Sequence, residues 1–86
     1  MSEITFLNNL TPLEIYKLTK ANKQILNKDL LIKYYLFAIE KTEDKELIGN
    51  SFFEIGCIYA ELEDYANMGK YLSLARQNGH EGCVKN

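Results

Sequence analysis

Few residues in this 86-residue chain have the type and spacing that catalysis requires. Glu54 and Glu61 lie seven positions apart, which is about 10 Å along a helix. They would work as a general acid and base only if a cleft raised the pKa of one of them, and an exposed acidic face is the simpler interpretation. The one histidine, His80, follows Gly79 in a predicted tail, a poor position for activating a nucleophile. We therefore predict no enzyme activity and no catalytic residue.

The residues that bind metals and phosphates are also sparse. His80 and Cys83 are three positions apart and would share a helix face, with Cys57 as a third ligand, but zinc sites use a more complete set. The five glycines form no phosphate-binding loop. The net charge of −2 gives no basic surface for nucleic acid. We predict no metal, no cofactor and no nucleic-acid partner.

The sequence gives no signal for export or membrane insertion. Met1-Ser2-Glu3 has an acid where a signal peptide would have bases. The longest apolar run, residues 30–39, is broken by Lys33 and is too short to cross a bilayer. Two cysteines are too few for a disulfide framework. We expect a cytoplasmic protein that has no membrane partner.

Apolar residues at helical spacing predict four helices. The first opens at Thr11-Pro12-Leu13-Glu14 with a capping box, and its apolar positions continue through Leu18 and Ile25 to Leu26. The second, about Leu30 to Lys41 and capped by Asp29, is apolar on nearly every side. Such a helix must be covered on two sides, which places it between the first and third helices.

The third and fourth predicted helices follow after a short polar connector. They span about Glu46–Leu62 and about Tyr65–Asn78, and Gly79 ends the last one. Glycines inside these helices, Gly56 and Gly69, predict close approach between neighbouring helices. Short connections make neighbouring helices antiparallel.

An internal repeat relates the two halves of the chain. The string from Lys33 to Ala38 reappears 37 residues later from Lys70 to Ala75, and the same offset pairs Leu18 with Ile55. Self-similarity at such a period is typical of stacked helical repeats.

The second half of the chain carries a family resemblance. The pattern Phe52-x-x-Ile55-Gly56-x-x-Tyr59, followed by Glu63-Asp64-Tyr65 and Leu72-x-x-Ala75, resembles a tetratricopeptide repeat, and its Tyr-Leu pair before the alanine is similar to the Sel-one-like subclass. The string Asp64-Tyr65-x-x-Met68-x-Lys70-Tyr71 resembles repeats abundant in giant viruses of amoebae. The first half departs from the pattern, because Thr19 and Asn22 stand where the family has glycine and tyrosine. In the second half, Met68 stands where the family prefers a small residue.

This resemblance implies a fold and an organisation. The fold would be all-α, a right-handed α-α superhelix of about two helix-turn-helix repeats formed by the four main helices. Residues 1–86 would form a single domain, with repeat one at about 12–42, repeat two at about 46–79 and a C-terminal stub at 80–86. If the chain is viral, its location would be the host cytoplasm.

The resemblance also implies a function without catalysis. We expect a protein–protein interaction module or small adaptor that binds a protein or peptide segment on its concave face. Lys17, Lys20 and Lys23, at spacings of three, would take an acidic peptide or else form an ordinary solvated face. Phe53, off the apolar stripe, must pack on a neighbour or on a partner. The predicted partner-binding residues are Tyr16, Lys20, Lys23, Asn50, Phe53, Cys57 and Glu61.

The alternative is a self-assembling structural subunit that packs repeat end to repeat end. In this hypothesis the stub of one copy packs on the N-terminal helix of the next, so that the partner is the chain itself. Residues 1–41 carry a net charge of +2 and residues 42–86 a net charge of −4. This asymmetry fits association between copies, although an unevenly charged solvated surface is the simpler interpretation.

Overall fold

A computed structural model describes residues 7–80 of the chain. Within that range the prediction of an all-α chain with four main helices is confirmed. The helices are α1 (Pro12–Ala21), α2 (Lys28–Glu40), α3 (Lys45–Glu61) and α4 (Tyr65–Gln77). Each packs on the next in sequence, and α1 also touches α3. The predicted position of α2, between α1 and α3, is therefore correct.

The helix starts are set by side chains that accept hydrogen bonds from the first backbone amides. At α1 the predicted capping box is present, since Thr11 N donates to Glu14 Oε1 at 2.8 Å and Glu14 N donates to Thr11 Oγ1 at 3.1 Å. At α2 the predicted cap is wrong, because Asn27 accepts from Leu30 N at 2.9 Å and Asp29 lies inside the helix.

The first helix is shorter than its apolar pattern predicts. It ends at Ala21, and the Asn22 side-chain amide donates to Leu18 O at 2.8 Å. Residues 22–25 then form a turn. Because Ile25 lies in this turn and not on a helix, its side chain is 80% exposed.

The last helix ends as the sequence predicts. Gly79 has a φ of 88°, Gly79 N donates to Arg76 O at 2.9 Å, and His80 N donates to Ala75 O at 3.0 Å. This pair of bonds is the Schellman motif, in which glycine is favoured because it accepts a positive φ. The same motif ends α3, where Glu63 has a φ of 60°. There Glu63 N donates to Ala60 O at 3.0 Å and Asp64 N donates to Tyr59 O at 2.9 Å.

Two adjoining clusters form the core. One contains Leu31, Ile32, Tyr35, Ile55 and Ile58, and the other contains Leu7, Ile15 and Ala38. The apolar stripe predicted Leu18 and Leu62 to be buried as well, but these are 42% and 47% exposed. Leu18 lies on a side of α1 that no other described helix covers, and Leu62 lies in the turn that follows α3.

Two polar residues take core positions instead. Thr19 is buried, and its hydroxyl donates to Ile15 O at 2.6 Å, so burial leaves no donor unsatisfied. Ser51 is also buried, and its Oγ has no hydrogen-bond partner among residues 7–80. A buried polar atom of that kind costs about 1–3 kcal/mol.

Gly56 in α3 and Gly69 in α4 differ in their surroundings. A Cβ on Gly56 would lie 2.6 Å from Leu72 Cδ2 and 2.9 Å from Leu72 Cγ, so the predicted close approach of α4 to α3 at Gly56 is confirmed. A Cβ on Gly69 would meet no atom within 4 Å, so the same prediction for Gly69 is wrong.

Candidate protein-binding site

Side chains from α1 and α3 meet on one face of the domain. Lys20 Nζ lies 3.4 Å from Glu54 Oε2 and joins the two helices. The Tyr16 ring packs on the Tyr35 ring with centroids 5.7 Å apart, and Lys20 Nζ lies 5.9 Å from the centroid of Tyr16. Two of the predicted binding residues, Tyr16 and Lys20, therefore belong to one contiguous cluster.

A cleft of about 390 Å³ lies next to this cluster. Its apolar floor comes from buried residues of α2 and α3, namely Leu31, Tyr35 and Ile58. Its remaining lining is polar or half-buried and comes from the turn after α1, the start of α2 and the outer face of α3: Lys23, Gln24, Leu26, Asn27, Lys28, Glu54, Cys57 and Glu61. Three of the predicted binding residues, Lys23, Cys57 and Glu61, thus share this cleft.

The two carboxylates considered for catalysis each lie beside a lysine. Glu54 pairs with Lys20, and Glu61 Oε1 lies 3.6 Å from Lys28 Nζ. The Glu54 side chain is only 17% exposed, so its pair is partly shielded from solvent, whereas the Glu61 side chain is 66% exposed. Exposed pairs contribute little to stability, and the Lys28–Glu61 pair chiefly places opposite charges at the rim of the cleft.

The remaining predicted residues lie outside the cleft. Phe53 stacks on His80 with centroids 4.2 Å apart and an interplanar angle of 13°. Of the two alternatives for Phe53, the structure favours packing within the chain. Asn50 is half-buried on α3 one turn before Glu54 and does not line the cleft. The predicted surface is therefore divided between two places: the cleft with its neighbouring cluster, and the stretch of α3 from Asn50 to Phe53.

The residues that α2 contributes to the cleft were not predicted from the sequence. Leu31, Tyr35 and Lys28 line the cleft, but the helical-repeat pattern assigns the binding face to α1 and α3 alone. Locating Lys28 would have required knowing that α1 ends at Ala21, since only then does a turn bring the start of α2 to the rim. Two asparagines in the sequence indicate this turn: Asn22 ends α1, and Asn27 caps the start of α2.

Burial and charge raise the pKa values of the tyrosines at the site. Burial is the main cause of the raised pKa of Tyr35, and Glu54 adds to it. Burial followed by Glu54 also raises the pKa of Tyr16. The Glu54 carboxylate raises the pKa of the Lys20 ammonium. All three shifts favour the protonated state in the folded protein.

These shifts predict a loss of stability at alkaline pH. The stabilisation linked to these raised pKa values is fully present below the tyrosine pKa of the unfolded chain, about 10. It is lost as the pH rises through the higher tyrosine pKa values of the folded protein. We expect the free energy of unfolding, measured by urea titration, to fall above about pH 10 in the unchanged protein. Tyr35→Phe should flatten this decline, and equally steep declines in both proteins would contradict the assignment to Tyr35.

Neither a metal cluster nor a bilayer-spanning helix occurs in the part of the chain described. Residues 7–80 contain no group of three or more His, Cys, Asp or Glu side chains placed to hold a metal ion. Cys83, one of the considered ligands, lies outside the described residues. None of the helices in that range has both the length and the apolar character needed to cross a membrane.

Comparison of this chain with protein-family models, with curated proteins and with solved structures gave no match.

Proposed function

We propose that this chain is a non-catalytic interaction module built from two tetratricopeptide-like helical hairpins that stack as a short right-handed superhelix. It binds a segment of a partner protein in the cleft formed by the α1–α2 turn, α2 and α3. The cleft carries the proposal. It combines a buried apolar floor with a charged rim, and recognition sites for segments of other proteins commonly pair an apolar pocket with polar groups that fix orientation.

The agreement between the internal repeat and the helix boundaries supports the two-hairpin architecture. The 37-residue offset carries α2 (Lys28–Glu40) onto α4 (Tyr65–Gln77) residue for residue, and the cap Asn27 onto the cap Asp64. The alanines that end the two aligned strings, Ala38 and Ala75, are both fully buried. The first helices match less closely, because α3 begins four residues before the equivalent of Pro12.

The form of the cleft defines the kind of segment that fits it. The floor residues Leu31, Tyr35 and Ile58 offer apolar contact to one or two inserted side chains. Lys23 and Lys28 lie on the side of the α1–α2 turn, and Glu54 and Glu61 lie on α3. A segment with an apolar anchor between charged or polar residues would satisfy both the floor and the rim.

Peptides selected from a random display library against the immobilised protein provide the test. We expect the selected peptides to lose at least about tenfold in affinity for Cys57→Trp, because the indole would occupy the cleft. Ser73→Trp, at an exposed position on α4, is the matched control and should bind as the unchanged protein does. Helicity and melting temperature of both variants should be compared first. Selected peptides that bind Cys57→Trp with unchanged affinity would place their site elsewhere.

Self-assembly from repeat end to repeat end is the second candidate. Leu13 and Leu18 of α1, 49% and 42% exposed, support it because they offer apolar surface on the N-terminal helix. The stub that would cover them in another copy begins at His80, which stacks on Phe53, and continues into residues outside the described range. Leu18→Asp would weaken such an assembly and leave peptide binding in the cleft intact.

A further inference from the structure

One end of the domain carries the two most exposed large apolar side chains of the described residues. Ile25, in the turn between α1 and α2, is 80% exposed, and Tyr65, at the start of α4, is 62% exposed. The two turns lie at the same end, since α1 and α3 run toward it and Lys28 Nζ at the start of α2 lies 3.6 Å from Glu61 Oε1 at the end of α3. Leu62, 47% exposed, lies in the α3–α4 turn between them in the chain. We call this surface, residues 22–28 and 61–65, the turn end.

Charge divides the turn end into two halves. Ile25 lies between Lys23 and Lys28, whereas Leu62 and Tyr65 are flanked by acidic residues of the segment 61–64. Within residues 7–80 neither Lys23 nor Glu63 forms an ion pair, so each half keeps a charge after the Lys28–Glu61 pair has formed. A basic half with an apolar side chain thus adjoins an acidic half with apolar side chains.

We infer that the turn end is a homodimer interface in which the basic half of one copy faces the acidic half of the other. A two-fold axis brings the same patch of two subunits together, so each patch must be complementary to itself. The turn end meets that requirement if the axis passes near the Lys28–Glu61 pair. Ile25 of each copy then covers Leu62 and Tyr65 of its partner, and Lys23 faces the opposite Glu63.

This contact differs from both functions considered above. Ile25, Leu62 and Tyr65, the apolar contacts of the dimer, do not line the cleft, whereas Lys23, Lys28 and Glu61 belong to both surfaces. It also differs from repeat-end packing, which uses α1 and the C-terminal stub and has no reason to stop at two copies. The apolar surface is small, so the dimer should dissociate on dilution.

Sedimentation or light scattering over a wide concentration range tests the inference with the full chain. We expect a mass that rises from the monomer value of 9.9 kDa to twice that value and no further. Ile25→Asp should raise the dissociation constant by at least about tenfold, as truncation of an interface anchor does. Leu13→Asp, at an exposed apolar position near the opposite end of α1, is the control and should dimerise normally.

Charge reversal gives a second, independent readout. Lys23→Glu and Glu63→Lys should each weaken the dimer. An equimolar mixture of the two variants should recover it, because position 23 of each subunit then again faces the opposite charge at position 63 of its partner. A constant monomer mass at all concentrations would overturn the inference. So would growth beyond a dimer, or a dimer that Leu13→Asp disrupts and Ile25→Asp does not. At concentrations where the unchanged protein is monomeric, Ile25→Asp should bind peptide with the same affinity as the unchanged protein, which separates failure of the dimer from failure of the cleft.

Discussion

Tyr35→Ala is expected to lower the free energy of unfolding by about 3–5 kcal/mol, the range for removing a large aromatic side chain from a core. Tyr35 is 1% exposed, belongs to the main core cluster with Ile55 and Ile58, and packs its ring on Tyr16. A domain of this size has little stability to spare, so much of the variant should be unfolded in the absence of denaturant. Urea titration followed by far-ultraviolet circular dichroism measures the change.

Tyr35→Phe is the matched control for that experiment. It keeps the ring and the contacts with Tyr16 and removes only the hydroxyl, so at neutral pH it should remain folded. Tyr35 also forms part of the cleft floor. A small loss of stability in Tyr35→Ala, under about 1 kcal/mol, would mean that neighbouring side chains close the cavity easily and that Tyr35 is not central to the core.

Gly56→Ala is expected to destabilise the domain by about 1–3 kcal/mol, although alanine is the better helix former by about 1 kcal/mol. The added methyl group would lie 2.6 Å from Leu72 Cδ2 and 2.9 Å from Leu72 Cγ, closer than such atoms approach in proteins. The Leu72 side chain must therefore move, or α4 must shift away from α3. Thermal and urea unfolding report the loss.

Two further variants isolate the cause. Gly69→Ala changes the same residue type inside a helix but adds its methyl group to open space, so it should stabilise the domain by up to about 1 kcal/mol. In a double-mutant cycle, Leu72→Ala should cancel most of the cost of Gly56→Ala, because it removes the atoms that the methyl group meets. Equal effects of alanine at positions 56 and 69 would show that close packing at Gly56 is unimportant.

Much of the architecture was predictable because helices have a strong local signature. The Thr11 capping box, the Gly79 stop and the apolar character of α2 each follow from residues that are neighbours in the chain, and each prediction agrees with the structure. The end of α1 was not predictable from its apolar pattern. Ile25 and Leu26 continue the helical spacing, but the Asn22 side chain binds the last turn and the chain then bends.

The site was predictable only in part, because burial depends on which helix covers which face. Thr19 gives no hydrophobic signal, yet it is buried because its hydroxyl is satisfied by the carbonyl of Ile15. Leu18 gives a strong signal, yet it is exposed because no described helix packs on that side of α1. Two of the three floor residues, Leu31 and Tyr35, come from α2, so a prediction that assigned the binding face to α1 and α3 found part of the rim and missed most of the floor.

The most direct test of partner binding in the cleft is the rate at which Cys57 is alkylated, with and without a selected peptide. Cys57 is half-buried in the cleft lining, and a Cys83→Ser background makes it the only cysteine of the chain. A saturating peptide is expected to slow alkylation by at least about tenfold, because an occupied cleft excludes the reagent. If a peptide binds with full affinity while the alkylation rate of Cys57 stays unchanged, the partner segment does not bind in the cleft.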